Sequence, residues 1–181
     1  MSRIKMAGAA AALSGALQAC APAPPAGPLA AGDNAAFRHE VETSAPPEAI
    51  WALWSDAASW ARWDRGLKGA TLEGPMQVGA TGAITPLSGP PAAFEVLEYA
   101  PPSHYAFATE LPLARLIVRR SIVGVDPTRI RHDVSFEGPL APLWAAQFGP
   151  QFRAALPPTM DALAREAEAT GAPARDAQET N

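Results

Sequence analysis

The feature that most constrains the fold is a change of hydrophobic period near Pro142. Before it, between Leu67 and Pro139, six short apolar segments are separated by glycine and proline, a pattern typical of antiparallel strands joined by hairpins. After it, apolar side chains recur every three or four residues, which predicts an amphipathic helix containing Trp144, Phe148, Phe152, Leu156, Met160 and Leu163. A sheet of this length needs one face covered, and the final helix is the only element large enough to cover it. The pattern therefore predicts an α+β fold.

The segment before the hairpins adds one strand and two short helices. FRHEVETS, from Phe37 to Ser44, alternates apolar and polar residues as a half-buried strand does. APPEAIWALWSD then begins a helix, with proline in the first turn and Glu48 complementing the helix dipole. Asp56 is a candidate cap for a second short helix, AASWARW. The sheet should then have seven strands. Three prolines in the final helix (Pro150, Pro157 and Pro158) predict a kink or a restart there.

The first 20 residues have the pattern of an export signal. Arg3 and Lys5 precede an apolar run over residues 6–17, which is shorter than the ~20 residues that span a bilayer. The run ends in LQAC, which resembles the lipobox of bacterial lipoproteins and implies cleavage after residue 19 and lipidation of Cys20. Ordinary cleavage sites can also be drawn here, but each places a proline just after the cut. Ala21, not aspartate, follows the cysteine, so the lipoprotein rule implies an outer-membrane anchor facing the periplasm.

The expected organisation is a lipoprotein signal peptide over residues 1–19 and a lipidated Cys20 with a Pro/Ala-rich tether to residue 35. One domain over residues 36–169 and a disordered tail over residues 170–181 follow. Cleavage removes Arg3 and Lys5, which lowers the 14 basic residues to 12 against 18 acidic ones and gives a mature charge of −6. Anionic lipid heads would repel such a domain, so acyl chains and not a basic surface should hold it at the membrane.

Several classes of function are disfavoured by the sequence. The net charge of −4 gives no basic footprint for nucleic acid. A single cysteine excludes an internal disulfide and a multi-cysteine metal site, and the three histidines do not have metal-ligand spacing. Nucleophile-elbow, dinucleotide-binding, P-loop and zinc-protease motifs do not occur. We therefore assign no catalytic residue, no metal and no cofactor from the sequence.

Three stretches resemble one superfamily. SAPPEAIWALWSDAASWARWD, TRIRHDVSFEGPLAPLW and ALPPTMDALAREAE are similar to the opening, the last strand and the final helix of the START-like (SRPBCC) superfamily, in its polyketide cyclase/dehydrase-type members. The resemblance covers about residues 36–169. It implies a helix-grip fold, in which a curved antiparallel sheet wraps around a long C-terminal helix and leaves a cavity between them.

The resemblance implies function only coarsely. The superfamily includes carriers of lipids, quinones and hormones, some cyclases and some hydrolases. The favoured reading is a domain that binds a small hydrophobic or amphipathic molecule in the cavity. One alternative is a cyclase/dehydratase- or hydrolase-type enzyme that uses the same cavity. A second is a non-catalytic protein-interaction module whose cavity is vestigial.

Four of the five tryptophans lie between Trp51 and Asp64. Trp51 and Trp54 are three residues apart on the first short helix, as are Trp60 and Trp63 on the second, so each pair shares a helix face. In the superfamily this segment borders the ligand space, which favours Trp54 and Trp63 as cavity-lining residues. The alternative is that the indoles only plug one end of the sheet.

Strand parity nominates the polar candidates. Arg120, His132 and His39 each alternate in phase with apolar residues, and a hairpin centred on Asp126 would pair Arg120 with His132. The first strand should lie beside the last one, which adds His39. Arg120 should keep His132 mostly neutral, and the group would bind an anionic or carbonyl-bearing ligand head. Alternatively, these side chains reach water at strand ends, or Arg120 pairs with Glu95 or Glu137 and serves only the fold.

Two tyrosines and one phenylalanine complete the set. Tyr99 and Tyr105 should pair across the turn at residues 101–103, where core packing is also a sufficient role. Phe148, on the apolar face of the final helix, would contact the ligand tail. The candidate ligand-binding residues are thus His39, Trp54, Trp63, Tyr99, Tyr105, Arg120, His132 and Phe148.

Overall fold

The computed structural model describes residues 36–171, and its fold is the expected one. In chain order the elements are β1 (Ala36–Thr43), α1 (Pro47–Ser55), a 3₁₀ turn (Ala57–Ser59), α2 (Trp60–Trp63), β2 (Leu67–Leu72), β3 (Thr81–Pro86), β4 (Ala92–Ala100), β5 (His104–Leu111), β6 (Ala114–Val125), β7 (Thr128–Glu137) and α3 (Ala141–Gly171). The seven strands form one curled antiparallel sheet in the order β1-β7-β6-β5-β4-β3-β2. The helix-grip prediction is confirmed. The predicted signal peptide, Cys20, the tether and residues 172–181 lie outside the described residues.

Both short helices begin as their sequences predict. Pro47 occupies the first turn of α1 and Glu48 follows it. The carboxylate of Asp56 accepts a hydrogen bond from the Ala58 amide (3.2 Å) and caps the 3₁₀ turn that leads into α2. The second predicted helix is thus a 3₁₀ turn followed by one α-helical turn. The cap fixes the direction in which α2 and its two tryptophans enter the core.

The final helix shows no restart at its prolines. Pro150, Pro157 and Pro158 all lie inside the single element α3. A proline has no amide proton for the carbonyl four residues earlier, so the carbonyls of Ala146, Arg153 and Ala154 lose their helical partners. All three of these residues are exposed, which lets water take the place of the missing donors. The opposite face, with Leu156, Met160 and Leu163, is buried against the sheet and keeps the helix continuous.

Two sets of contacts hold α3 against β1 and the β1–α1 turn. A Cβ atom on Gly149 would lie 2.4 Å from the Phe37 ring, so glycine permits the close approach of α3 and β1. Further along α3, the Glu168 carboxylate accepts hydrogen bonds from the Thr43 hydroxyl (2.7 Å), the Ser44 amide (3.1 Å) and the Ser44 hydroxyl (3.1 Å). These bonds lower the pKa of Glu168 below its usual value. They tie the C-terminal part of the helix to the β1–α1 turn.

The sheet has one charged face and one mostly apolar face. On the face turned away from α3, three ion pairs join the neighbouring strands β1 and β7: Arg38 with Asp133 (2.6 Å), Arg131 with Glu40 (2.6 Å) and Arg129 with Glu42 (3.0 Å). A fourth pair, Arg119 with Glu98, joins β6 to β4 across β5. On the face toward α3, β7 presents Ile130, Val134 and Phe136, all buried. Among the described residues, no helix is both long and apolar enough to cross a membrane. The apolar face toward α3 lines the interior of the domain, and a buried site would lie on it.

Candidate functional site

Five of the eight candidate residues form one straight row across the α3 face of the sheet. His39 on β1 is opposite His132 on β7, and His132 is opposite Arg120 on β6. Arg120 is in turn opposite Tyr105 on β5, and Tyr105 is opposite Tyr99 on β4. We call these five side chains the polar row. The predicted pairing of Arg120 with His132 is confirmed, as are the positions of His39 and of the tyrosine pair. Their role in binding a ligand stays a prediction.

The register that creates the polar row depends on a β-bulge. Val125 pairs with Thr128, so the hairpin is centred between Asp126 and Pro127 and not on Asp126 as the sequence analysis assumed. If the register of this turn continued unchanged along both strands, Arg120 would be opposite Asp133. The register shifts by one residue between Ile122 and Gly124, where the extra residue Val123 is accommodated. The bulge therefore restores the pairing of Arg120 with His132.

Arg120 is a charged side chain in the interior, only 2% exposed. Its guanidinium donates to the Tyr105 hydroxyl (2.5 Å) and to the Asp64 carboxylate (3.3 Å). It also lies over the indole rings of Trp60 and Trp63, 4.9 and 4.6 Å from their centroids. The hydrogen bonds and ring faces compensate for the lost hydration of the cation.

The expected alternative partners of Arg120 are wrong. Glu95 lies between the buried residues Phe94 and Val96 of β4, so its side chain points to the opposite face of the sheet. Glu137 follows the buried Phe136 on β7 and also points away from α3. The partner is Asp64, which the sequence analysis did not select. Its only signal was the Trp63-Asp64 dipeptide within the stretch that resembles the START-like opening.

Asp64 is placed by the end of α2. It is the C-terminal cap of that helix, and its side chain also accepts a hydrogen bond from the Gly66 amide (3.0 Å). Burial raises the pKa of the Asp64 carboxyl, and the Arg120 charge and the Gly66 amide offset this only in part. A carboxyl that holds its proton more readily than usual, beside a permanent cation, can exchange a proton when another charge approaches.

Burial keeps two further groups of the polar row, Tyr105 and His132, in their neutral forms near pH 7. Burial raises the pKa of Tyr105 to about 12, against a smaller lowering effect of Arg120. The pKa of His132 is lowered well below its usual value, first by burial, then by the charge of Arg120 and by His39. The predicted neutrality of His132 is thus supported. Its main cause is burial, whereas the sequence analysis named only Arg120.

The tryptophans pack over the middle of the polar row. Trp54, Trp60 and Trp63 are at most 1% exposed, and Trp51 is half-buried beside Tyr99, with the ring centroids 5.6 Å apart. Trp60 stacks on Phe94 and Phe107 and donates its indole N–H to the Trp54 carbonyl (2.9 Å). Packing is therefore a sufficient role for Trp60. The space over Arg120 is filled by side chains of the domain itself.

Trp54 and Trp63 differ from Trp60 in their hydrogen bonding. Their indole N–H groups are buried and have no acceptor within residues 36–171. Two atoms of the polar row, Nε of Arg120 and Nε2 of His132, are likewise buried without a partner there. A buried polar group without a partner costs about 1–3 kcal/mol, so such groups are rare in folded domains. Three of these four atoms are N–H donors, which suits a ligand that carries hydrogen-bond acceptors.

Two candidates lie away from the centre of the site. His39 lines a cleft of about 250 Å³ between β1 and α3, together with Phe37, Arg38, Arg153, Leu156 and Pro157. Phe148 stacks between Trp144 and Phe136, with ring centroids 5.6 and 6.4 Å apart. Phe136 is four residues from His132 along β7, about 13 Å at the rise of a strand. Phe148 therefore belongs to a separate aromatic cluster. No cluster of metal-ligating side chains occurs in the part of the chain that the structure describes.

Solved structures with similar folds were found at low sequence identity. Protein MLL2253 from Mesorhizobium loti matches with a TM-score of 0.60 and 20% identity, over 75% of this chain and 98% of that one. A norcoclaurine synthase point mutant from Thalictrum flavum, in complex with a transition-state analogue, matches with a TM-score of 0.54 and 14% identity, over 76% and 96%. DynU16, a putative protein in the dynemicin biosynthetic locus, matches with a TM-score of 0.58 and 22% identity, over 75% of this chain and 48% of that one. These likenesses show the fold alone.

The sequence itself matches one family model. No curated protein matches the chain significantly. Residues 34–168 match the model described as polyketide cyclase / dehydrase and lipid transport, a span that contains every strand, α1, α2 and most of α3. The chain therefore belongs to the polyketide cyclase / dehydrase and lipid transport family of the START-like superfamily.

Proposed function

We propose that this protein is a lipid-anchored binding protein of the bacterial cell envelope, whose START-like domain takes up a small hydrophobic molecule with an acceptor-bearing head. The observation that carries the proposal is Arg120, a buried permanent cation among N–H groups that lack acceptors. A carboxylate or carbonyl oxygen would satisfy Arg120 Nε and the indole N–H groups of Trp54 and Trp63. The family's description, which includes lipid transport, supports the same class of ligand.

The electrostatics of the site favour an anionic or strongly polar head. Asp64 and Arg120 form the only ion pair at the polar row among the described residues, at 3.3 Å. An incoming carboxylate would compete for the guanidinium and would further disfavour the charged form of Asp64, whose pKa burial has already raised. Asp64 can then take up a proton, so the site accepts an anion without accumulating negative charge.

The ligand would enter by displacing part of the indole cover. Trp63 belongs to α2, which is only four residues long and is followed by the partly exposed Asp64. A short helix of this kind can shift without unfolding the sheet beneath it. Trp54 is held in the longer helix α1. We infer that α2 shifts as the ligand head enters and that Trp63 then donates to the head from its shifted position, while Trp54 donates from its place in α1.

The anchor is proposed from the sequence. The export pattern and LQAC support cleavage before Cys20 and acylation of its thiol. Ala21 supports the outer membrane, facing the periplasm, as the destination. A domain in that place would meet hydrophobic molecules that leave or enter the bilayer.

An enzymatic role is the second candidate, and Asp64 is the observation that favours it. A carboxyl with a raised pKa, next to an arginine and a tyrosine hydroxyl, can exchange a proton with a substrate whose carbonyl is polarised by the cation. A cyclase- or dehydratase-type reaction could use this combination. Replacement of Asp64 by asparagine would separate the two roles, because it should abolish turnover but leave ligand binding measurable.

The binding proposal is tested with Arg120→Met. We expect this variant to bind a long-chain fatty acid about tenfold or more weakly, because a hydrogen bond to a charged group contributes about 1.5–3 kcal/mol. It should bind the alcohol of the same chain length nearly as well as the wild type does. Calorimetric titration of the purified protein with both ligands gives the two affinities. Native mass spectrometry of the extracted protein would show which molecules co-purify.

Arg119→Met is the matched control. Arg119 is adjacent in sequence and pairs with Glu98, but its side chain lies on the opposite face of the sheet. Its replacement should change neither affinity. Equal losses of acid and alcohol in Arg120→Met would assign Arg120 a structural role. Failure of the wild type to bind any hydrophobic probe would contradict the proposal and leave the non-catalytic interaction module.

A further inference from the structure

An exposed group of apolar side chains stands at one end of the domain. Leu113, in the β5–β6 turn, is 69% exposed, and Leu143, in the first turns of α3, is 57% exposed. Pro112 is exposed beside Leu113, and Leu140 and Trp144 are partly exposed. We call these five residues the apolar tip: Pro112, Leu113, Leu140, Leu143 and Trp144. Large apolar side chains clustered on a surface mark a contact site more often than single ones do.

The apolar tip is held together by hydrogen bonds between its two segments. The Leu140 amide donates to the Leu113 carbonyl (3.1 Å), and the Trp144 indole N–H donates to the Pro112 carbonyl (3.0 Å). Gly138 has a φ of 106°, and a Cβ there would lie 2.9 Å from the Leu113 oxygen, so glycine permits this approach. The turn and the helix start therefore form one fixed surface.

Folding alone does not explain the residue at the turn. Leu113 has a φ of 53°, a conformation that favours glycine or asparagine and that costs leucine free energy. Its side chain recovers nothing from the core, because it points into solvent. An apolar residue kept in such a conformation indicates that its exposure serves a contact outside the domain.

The chain enters the domain at the same end. Ala36, the first described residue, is opposite Ser135 near the end of β7, whereas Thr43 is opposite Thr128 beside the β6–β7 turn. The apolar tip lies just beyond Glu137, the last residue of β7. Residues 21–35 separate Cys20 from this end, and fifteen residues reach at most about 50 Å when fully extended. An acyl anchor on Cys20 thus keeps the apolar tip within reach of a bilayer.

We propose that the apolar tip inserts into the lipid bilayer that carries the Cys20 anchor, an inference that rests on the anchoring proposed above. The mature chain has a charge of −6, so apolar side chains and not charge attraction would hold the surface at zwitterionic lipid. A tryptophan with a hydrogen-bonded N–H suits the lipid–water interface. Trp144 of the apolar tip stacks on Phe148, and Phe148 in turn stacks on Phe136 of the sheet. This aromatic path joins the bilayer to the interior of the domain.

A cysteine-directed fluorophore tests the insertion, because Cys20 is the only native cysteine and is acylated in the anchored protein. Pro142→Cys labels the apolar tip and leaves its three leucines in place. Val125→Cys is the matched control, since Val125 is 72% exposed at the opposite end of β6, beside the charged residues Asp126 and Arg129. Each acylated, labelled protein is reconstituted into phosphatidylcholine vesicles with and without brominated acyl chains.

We expect bromine quenching and a blue-shifted emission for the label at residue 142 and neither for the label at residue 125. Adding Leu113→Asp or Leu143→Asp should lower the ratio of inserted to free tip roughly tenfold, and so remove most of the quenching. Equal quenching at both positions, or none at residue 142, would overturn the proposal. A blue shift without vesicles that grows with protein concentration would show a second copy of the chain on this surface and would also overturn it. Flotation of the vesicles tests the anchor separately. If the Cys20 anchor failed, the protein would not float with the vesicles.

Discussion

Arg120 is a permanent charge surrounded by four aromatic rings, those of Trp60, Trp63, Tyr105 and Phe107. Guanidinium groups tolerate such places better than ammonium groups do, because they are planar and weakly hydrated. Among the described residues, Asp64 supplies the carboxylate that pairs with Arg120, and burial raises the pKa of that carboxyl. Burial and Arg120 thus act in opposite directions on the pKa of Asp64, and the proposed ligand would supply a further acceptor for the guanidinium.

The buried His132 should make the stability of the domain depend on pH. Its folded-state pKa lies well below 6.5, so below pH 6.5 the unfolded chain binds a proton that the native state does not. The contribution of His132 to the free energy of unfolding is therefore complete above pH 6.5. On acidification it falls by up to about 1.4 kcal/mol per pH unit. Urea unfolding at several pH values between 7 and 5 measures the slope.

His132→Gln should flatten that slope by about the same amount, because glutamine does not titrate. His104→Gln serves as the control, since His104 is a half-buried residue beside Glu98 and is not part of the polar row. It should leave the contribution of His132 intact. An unchanged slope in His132→Gln would show that His132 does not cause the acid sensitivity.

At the scale of single residues, the sequence predicted the site residues that lie on strands and missed the one that follows a helix. Arg120, His132 and His39 were identified because alternation along a strand assigns each residue to a face. Asp64 was not, because it follows a helix of one turn, where alternation has no meaning. The packing of α1 and α2 on the sheet determines which indole N–H groups lack acceptors. This packing cannot be predicted from sequence patterns.

Among the elements, α3 and β1 approach each other unusually closely. Gly149 is what permits it, because the Phe37 ring occupies the space that a methyl group would need. Gly149→Ala should lower the free energy of unfolding by about 1–3 kcal/mol through overpacking, although alanine is intrinsically the better helix former. Urea unfolding of the two proteins measures the difference.

Shortening the opposing side chain should relieve this clash. In a Phe37→Leu background, Gly149→Ala should cost much less, since the atoms nearest the new methyl group are those at the far end of the phenylalanine ring. Equal costs in the two backgrounds would contradict the overpacking explanation. The comparison is a double-mutant cycle, so it isolates the contact between these two residues.

Element boundaries were predicted well where local signals are strong. The order of strands and helices followed from periodicity and from glycine and proline punctuation. A kink or a restart was predicted for α3, and there is no restart, because the three carbonyls that lose their partners belong to exposed residues. The bulge at Val123 could not be predicted, since a bulge is defined only by the register against a partner strand.

For the whole molecule, the fold could be predicted because covering a long sheet leaves few solutions, and the long helix was the only cover available. The packing of side chains over Arg120 could not be predicted, because it depends on how four indole rings pack together at one end of the sheet. The proposed lipid anchor lies at this scale too, since Cys20 precedes the domain in the sequence.

Cys20→Ser should move the protein from the membrane fraction to the soluble fraction of the periplasm. Acyl chains contribute ~0.8 kcal/mol per buried methylene, so their loss should abolish stable attachment. The far-ultraviolet circular dichroism and the unfolding transition should be unchanged, because every described element begins at Ala36 or later. Fractionation followed by immunoblotting measures the distribution. A variant that stays in the membrane fraction would refute the lipoprotein assignment.

The sheet is open, so its outermost strands β1 and β2 present backbone groups that another chain could pair with. Both strands have features that oppose such pairing. β2 is interrupted by a register shift between Leu67 and Gly69 at the exposed Lys68, and β1 directs Arg38, Glu40 and Glu42 outward. A protein tethered to a bilayer is crowded in two dimensions, where edge-to-edge aggregation is most easily nucleated. In the membrane-anchored state that we propose, the bulge and the charges should therefore keep neighbouring copies from growing a continuous sheet.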